Sequence, residues 1–234
     1  MKGLANNKTG FKDVRSRILF VLFAILIFRL GSHVPLPGID HVKLAAYVAQ
    51  SKGGLFGFLN IFSGGSLSRM SVFTLSVSPY ISASIAMNLL SFAVPALEQL
   101  RKEGGRGKRK ITKYTRVLAL FVAIIQSIPV TKMLISNGIV LNPSPIFFVV
   151  TATTLATGTF FLVWLGEQIT ERGIGNGISM IIFAGISSRF PDGASQLFSL
   201  VNSGEMNILL FVGVIISVVM ITAGVVYCEK AQRQ

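Results

Sequence analysis

The chain has 234 residues, of which 51% are hydrophobic and only 13% charged, with a formal net charge of +13. Ordinary soluble domains carry about 25% charged residues. This composition therefore excludes a soluble enzyme and a disordered chain, and the single cysteine, Cys228, excludes a disulfide scaffold.

Three uncharged runs stand out: 28 residues between Arg69 and Glu98, 34 between Lys132 and Glu167, and 23 between Glu205 and Glu229. A bilayer-spanning helix needs about 20 apolar residues, so each run is long enough to cross. The pattern predicts an all-α polytopic membrane protein with six spans, near 18–34, 70–95, 115–132, 146–166, 175–190 and 206–228. The first contains Arg29 near its far end, where a long side chain is expected to snorkel to the interface. No small-residue cleavage site follows residues 18–28, so this stretch is expected to be retained as a span. His33 and His41 fall at or beyond its end and are expected to be exposed.

The segment 33–69 is no ordinary loop. It holds LFGFLNIF at 55–62, flanked by Gly53-Gly54 and Gly64-Gly65. Eight residues are too few to span a bilayer and too apolar to rest in water. Two readings are open: an interfacial anchor, or a short helix folded back into the bundle on glycine hinges, where it acts as a stopper.

Pro79 in the second span predicts a kink or a break. Around it, in VSPYISASI at 77–85, Val77, Ile81 and Ile85 recur every fourth residue, and Ser78, Ser82 and Ser84 leave much of the remaining surface small. That face suits helix packing through small residues or an apolar constriction beside an aqueous path. Periodicity alone leaves both open.

A basic loop, 98–116, follows; its core GRGKRKITKYTR carries Arg106, Lys108, Arg109, Lys110, Lys113 and Arg116. Such a run fixes topology beside anionic lipid, or docks an acidic partner or RNA phosphates. Tyr114 is its lone aromatic, so sequence-specific nucleic-acid binding is not expected. Prolines 129, 143 and 145 punctuate span exits. Then GEQITERGIGNG at 166–177 spaces Gly173, Gly175 and Gly177 as GxGxG with no strand before them, which is not a dinucleotide fingerprint. It reads as a pliable lead-in to the fifth span, with Asn176 a polar group just inside.

Lys and Arg set the orientation. Sixteen fall on the side of the amino terminus and five on the other, which places both ends of this chain in the cytoplasm. The span interiors hold no Asp, Glu, Lys or His. Ion-coupled transport and intramembrane proteolysis need such groups, so no catalytic residue, metal or cofactor is expected.

FRLGSHVPLPGID (28–40), LNIFSGGSLSR (59–69), SPYISASI (78–85), KRKITKYTR (108–116) and above all WLGEQITERGIGNGISMIIFAGI (164–186) resemble the SecY family, the central subunits of bacterial protein-conducting channels. The resemblance covers essentially the whole chain, in order. It implies a bundle of two inverted halves: a cytoplasmic segment at 1–17, the first half at 18–205, and at 206–234 the first helix of the second half.

It further implies a pore ring, matched here by Val77, Ile81 and Ile182, so that the aliphatic stripe faces the pore. The implied plug comprises Leu55, Phe56, Gly57, Phe58, Leu59, Asn60, Ile61, Phe62, Ser63, Gly64 and Gly65. A lateral gate for signal sequences is matched by Ile81, Ile85 and Leu89, with Asn176 as a polar contact behind it. The implied function is non-enzymatic: passage of unfolded secretory chains across the bacterial cytoplasmic membrane and release of transmembrane segments into lipid. The implied partners are SecE and SecG, the SecA motor or the ribosome, signal peptides and nascent chains, and membrane lipids. The opposing gate helix, the remaining ring residues and the family's two large docking loops have no counterpart in these 234 residues. A small-solute transporter or a structural membrane scaffold of similar bundle form are the alternatives.

Overall fold

A computed structural model describes residues 5–50, 60, 63–204 and 207–231. Among the described residues the regular structure is helical, apart from two isolated bridges that pair Pro35 with Ser71 and Ile39 with Val140. In chain order the helices are α1 Ala5–Gly31, α2 His41–Gln50, α3 Ser78–Ala93, α4 Pro95–Lys102, α5 Gly105–Ser136, α6 Pro145–Arg172, α7 Gly177–Ser187, α8 Phe190–Asn202 and α9 Ile208–Ala231. The chain divides into two units, 1–188 and 189–234.

Each expected span contains a helix, but their boundaries teach something. Three helices are long and apolar enough to cross a membrane: α5, α6 and the Leu210–Cys228 part of α9. A fourth crossing is added if α3 and α4, bent by 99° at Val94, count as one. By this measure the six expected spans are not reached. Within α1, Arg15, Arg17 and Arg29 all fall in the last 18 residues, and α7 has only 11 residues.

Four of the eight prolines begin helices here. Pro79, Pro95, Pro145 and Pro191 sit in the first turns of α3, α4, α6 and α8, where the missing N–H has no intrahelical partner to lose. Pro79 therefore marks the start of α3, and residues 63–77 before it are a series of turns. Pro129 does not end a span: it lies inside α5, which continues to Ser136. The hydroxyls of Ser127 and Thr131 donate to the Ile124 and Ser127 carbonyls around it.

The expected basic loop is also largely helical. Gly104, at φ +70, makes the turn, and α5 begins at Gly105. Of its 32 residues the last 20 suffice to cross a bilayer. The remaining amino-terminal turns, Gly105–Arg116, hold the basic residues.

Within unit 1, α5 packs along α3 and α6, and α6 also packs against α1 and α7. Two apolar clusters result. One joins Val21, Ala24 and Phe28 of α1 to Leu162, Leu165 and Ile169 of α6, Ile181 and Ala184 of α7, and Phe73 and Val77 of the turns. The other gathers Leu36, Ile39, Leu44, Met70, Leu134, Ile139, Val140, Phe147 and Leu155. In unit 2, Phe198 of α8 meets Phe211 of α9 with ring centroids 5.6 Å apart.

Candidate functional site

The site is built on the non-helical segment Ser63–Val77. Backbone outside a helix survives at membrane depth only when protein satisfies its polar groups, and here the segment satisfies most of them itself. Gly65 N–H donates to Asn60 O at 3.0 Å and Ser68 N–H to Asn60 Oδ1 at 2.9 Å. Leu67 N–H donates to Ser63 Oγ, and Thr74 Oγ1 to Ser71 O at 2.6 Å. Two further backbone bonds tie it to the chain after α1: Leu36 N–H to Met70 O at 2.8 Å and Val72 N–H to Val34 O at 3.0 Å. Met70 (φ 45) and Ser76 (φ 51) adopt left-handed backbone, a strain of roughly 1–3 kcal/mol each.

Two helices make room for these turns by lacking a side chain, and against a third helix the turn itself does so. A Cβ on Gly31 of α1 would overlap the Phe73 ring, and one on Gly158 of α6 would overlap the Val72 carbonyl oxygen. Gly185 of α7 lies against the backbone of Gly64, whose own added Cβ would sit 2.9 Å from Gly185 Cα. The Phe73 ring stacks between Phe28, at 6.1 Å, and Phe161, at 5.8 Å. Between membrane helices such close packing is the main attraction, because lipid offers no hydrophobic drive.

Val77 ends the segment as the N-cap of α3 and is 1% exposed. Arg29 is half-buried, and its Nη1 donates to the Gly64 carbonyl at 3.4 Å. That contact with the turns is what the sequence did not reveal. His33 and His41 are exposed, as expected.

Beside this frame lies an open cavity of about 1160 Å³. Its walls differ in chemistry. From α3 come Tyr80, Ile81, Ser84 and Ile85; from α7 come Ile178, Ser179 and Ile182. The first turns of α5 supply Lys108, Arg109, Lys110, Lys113 and Arg116, and α6 supplies Glu167, Thr170 and Glu171. One ion pair joins the last two walls: Arg116 faces Glu167 in a two-pronged contact, Nε to Oε1 and Nη2 to Oε2, both at 2.7 Å. Planar guanidinium–carboxylate pairing of this kind fixes orientation as well as charge.

The GEQITERGIGNG motif forms the corner between α6 and α7, where its glycines serve close contact. Gly177 packs so closely on the Gly166 carbonyl that a Cβ would overlap it. Thr170 Oγ1 donates to Gly166 O at 2.8 Å and accepts from Gly177 N–H at 2.9 Å, stitching the two helices together. Gly175 turns the chain at φ +73. Asn176 caps α7, its Oδ1 accepting from the Ile178 and Ser179 N–H groups, and also lines the cavity. Arg17 donates to Gly173 O at 3.3 Å. Sequence reasoning missed Gly31, Gly158, Gly185 and Thr170, whose close contacts no local pattern marks.

Of the residues singled out from the sequence, the cavity brings together Ile81, Ile85, Ile182, Asn176, Lys108, Arg109, Lys110, Lys113 and Arg116. It does not take in Val77, which lies in the adjoining core, nor Leu89 and Arg106, which are exposed elsewhere. Ile81 is 37% exposed, and Ile182 is half-buried against the first cluster. Of the residues expected to form the plug, Ser63, Gly64 and Gly65 are seen in the turns, and Asn60 is described as helical. Leu55, Phe56, Gly57, Phe58, Leu59, Ile61 and Phe62 lie outside the described residues.

Comparison with known proteins bears on this arrangement. A family profile described as SecY matches residues 71–234. The protein translocase subunit SecY of Pseudomonas aeruginosa is 45% identical over 225 residues, covering 96% of this chain and 51% of that protein. Its counterpart in Escherichia coli strain K12 is 45% identical over 231 residues, covering 97% of this chain and 52% of that protein. The chain thus spans about half the length of these relatives. Among solved structures, Sec61 in the canine ribosome-channel complex from the endoplasmic reticulum shares the fold, with a TM-score of 0.62 at 17% identity, covering 92% of this chain and 47% of that one. A chain described as the structure of a protein conducting channel matches equally.

Proposed function

The chain belongs to the SecY family, and from that membership we propose that it forms the first half of a protein-conducting channel, a translocation subunit rather than an enzyme. The observation that carries this reading is the shared cavity wall. Ile81 on α3 and Ile182 on α7, which are far apart in sequence, line one open space, flanked by a basic wall. Branched aliphatic side chains meeting across a narrow passage block ions by dewetting, yet they yield to a polypeptide of any sequence.

In this reading Val77, Ile81 and Ile182 belong to the resting ring, and Leu55–Gly65 supply the plug. Ile81, Ile85 and Leu89 line one side of a lateral gate, with Asn176 behind it. Six crossings, of which α1 and α7 would be the shortest or most charged, place both ends of this chain in the cytoplasm of a bacterial cell. The basic turns Gly105–Arg116 then face anionic lipid and the SecA motor or the ribosome. SecE, SecG and the remaining half of the fold complete the channel, and signal peptides and nascent chains are its cargo.

A photocrosslinker placed at Ile81 or Ile182 of the full-length protein in its membrane tests the reading. It is expected to capture a stalled secretory chain. Capture of neighbouring helices alone would favour a structural scaffold.

A further inference from the structure

The contact of Arg29 and Gly185 with Gly64 has a role that ring and plug do not supply. Gly64, at φ +63, is gripped on two sides. Its backbone touches that of Gly185, with an added Cβ 2.9 Å from Gly185 Cα and 3.1 Å from Gly185 O. Its carbonyl oxygen accepts from Arg29 Nη1 at 3.4 Å. A half-buried guanidinium at membrane depth is costly unless a polar group meets it, so the carbonyl and the arginine stabilise each other's position.

We propose that Arg29 and Gly185 are positioning residues that clasp Gly64 and so hold the turn segment Ser63–Val77 in its resting register with α7. The inference rests on the reading of Val77 and Ile182 as ring residues. Movement at Gly64 reaches Val77 because the turns between them are cross-tied, by Leu67 N–H to Ser63 Oγ and Thr74 Oγ1 to Ser66 O and Ser71 O. The left-handed backbone at Met70 and Ser76 requires restraint from outside the segment. Ile182 lies three residues before Gly185, on the same side of α7. When α7 tilts away, the glycine–glycine contact and the arginine bond part together, which gives two discrete arrangements rather than a continuous slide.

The test measures hydrogen–deuterium exchange of the amides in 63–77 in the full-length protein in lipid nanodiscs, together with resting ion conductance. Gly185→Val is expected to raise exchange in that segment about 10-fold, and Arg29→Gln about 3-fold, with 117–136 unchanged. Arg29→Lys is expected to restore the wild-type rate, and conductance should rise in the same order. Should Gly185→Val fail to fold, the Arg29→Gln and Arg29→Lys pair carries the test. Unchanged exchange in a folded Arg29→Gln variant overturns the clasp. Raised exchange with conductance unchanged, both in that variant and in Ile81→Ser, leaves the clasp in place but overturns its role in closure and, with it, the ring reading.

Discussion

Two stretches with strong sequence signatures solve opposite problems. Ser63–Val77 is mostly buried, with Ser63, Ser66, Ser71, Thr74 and Ser76 all out of solvent, and it is packed against apolar side chains and the backbone of neighbouring helices. Gly105–Arg116 is mostly exposed, and its side chains face an open cavity. In the first stretch identity is set by contact, since one methyl group has nowhere to go. In the second it is set by summed charge, where single positions matter little. Packing constraints act one residue at a time; electrostatic ones act as a field.

The sharpest way to break this contrast uses three glycines. Gly158→Ala drives a methyl into the Val72 carbonyl, which is backbone and cannot swing aside, so a loss of about 3 kcal/mol is expected. Gly107 lies in the basic stretch yet is buried, and its added Cβ would overlap the Leu100 carbonyl oxygen. Gly107→Ala is expected to cost as much as Gly158→Ala. Gly105→Ala has nothing within 4 Å and should be neutral or gain up to about 1 kcal/mol from helix propensity. Thermal unfolding of the three variants in one detergent checks the ranking. Equal behaviour of Gly105→Ala and Gly107→Ala would contradict it.

Smaller effects sharpen the comparison. Thr170→Val removes the acceptor for Gly177 N–H at the α6–α7 corner and is expected to cost about 1–3 kcal/mol, read as a lower unfolding midpoint. Smallest are the charge changes. Lys108→Gln, Arg109→Gln or Lys110→Gln alone should each alter stability by less than about 0.5 kcal/mol. Combined, they should weaken attachment to phosphatidylserine-containing vesicles by about 1 kcal/mol per charge removed, as vesicle cosedimentation would show. A large stability loss from any one of them would mean that the basic turns are packed rather than solvated.

Much of this was legible in the primary structure. Uncharged runs located α3, α6 and α9, whereas the fourfold spacing of Val77, Ile81 and Ile85 did not show that Val77 caps α3 in the core while Ile81 and Ile85 line the cavity. The glycines were harder to read. Those of GxGxG suggested flexibility, but Gly177 permits close contact with Gly166, a relation across a turn that spacing does not encode. Gly31, Gly158 and Gly185 lie in separate helices and gain meaning only when a non-helical segment passes between them. The bond from Arg29 to the Gly64 carbonyl was not legible either, because the two residues are 35 apart in the chain. Pro129 misled because α5 continues through it, with side-chain hydroxyls bonding to the carbonyls nearby.

The central claim is that polypeptide passes between the aliphatic side chains of α3 and α7. A structure of the assembled membrane complex holding a stalled secretory chain tests this most directly. The account predicts extended density within van der Waals contact of both Ile81 and Ile182. Density following another route, with those two side chains turned into lipid, would contradict it.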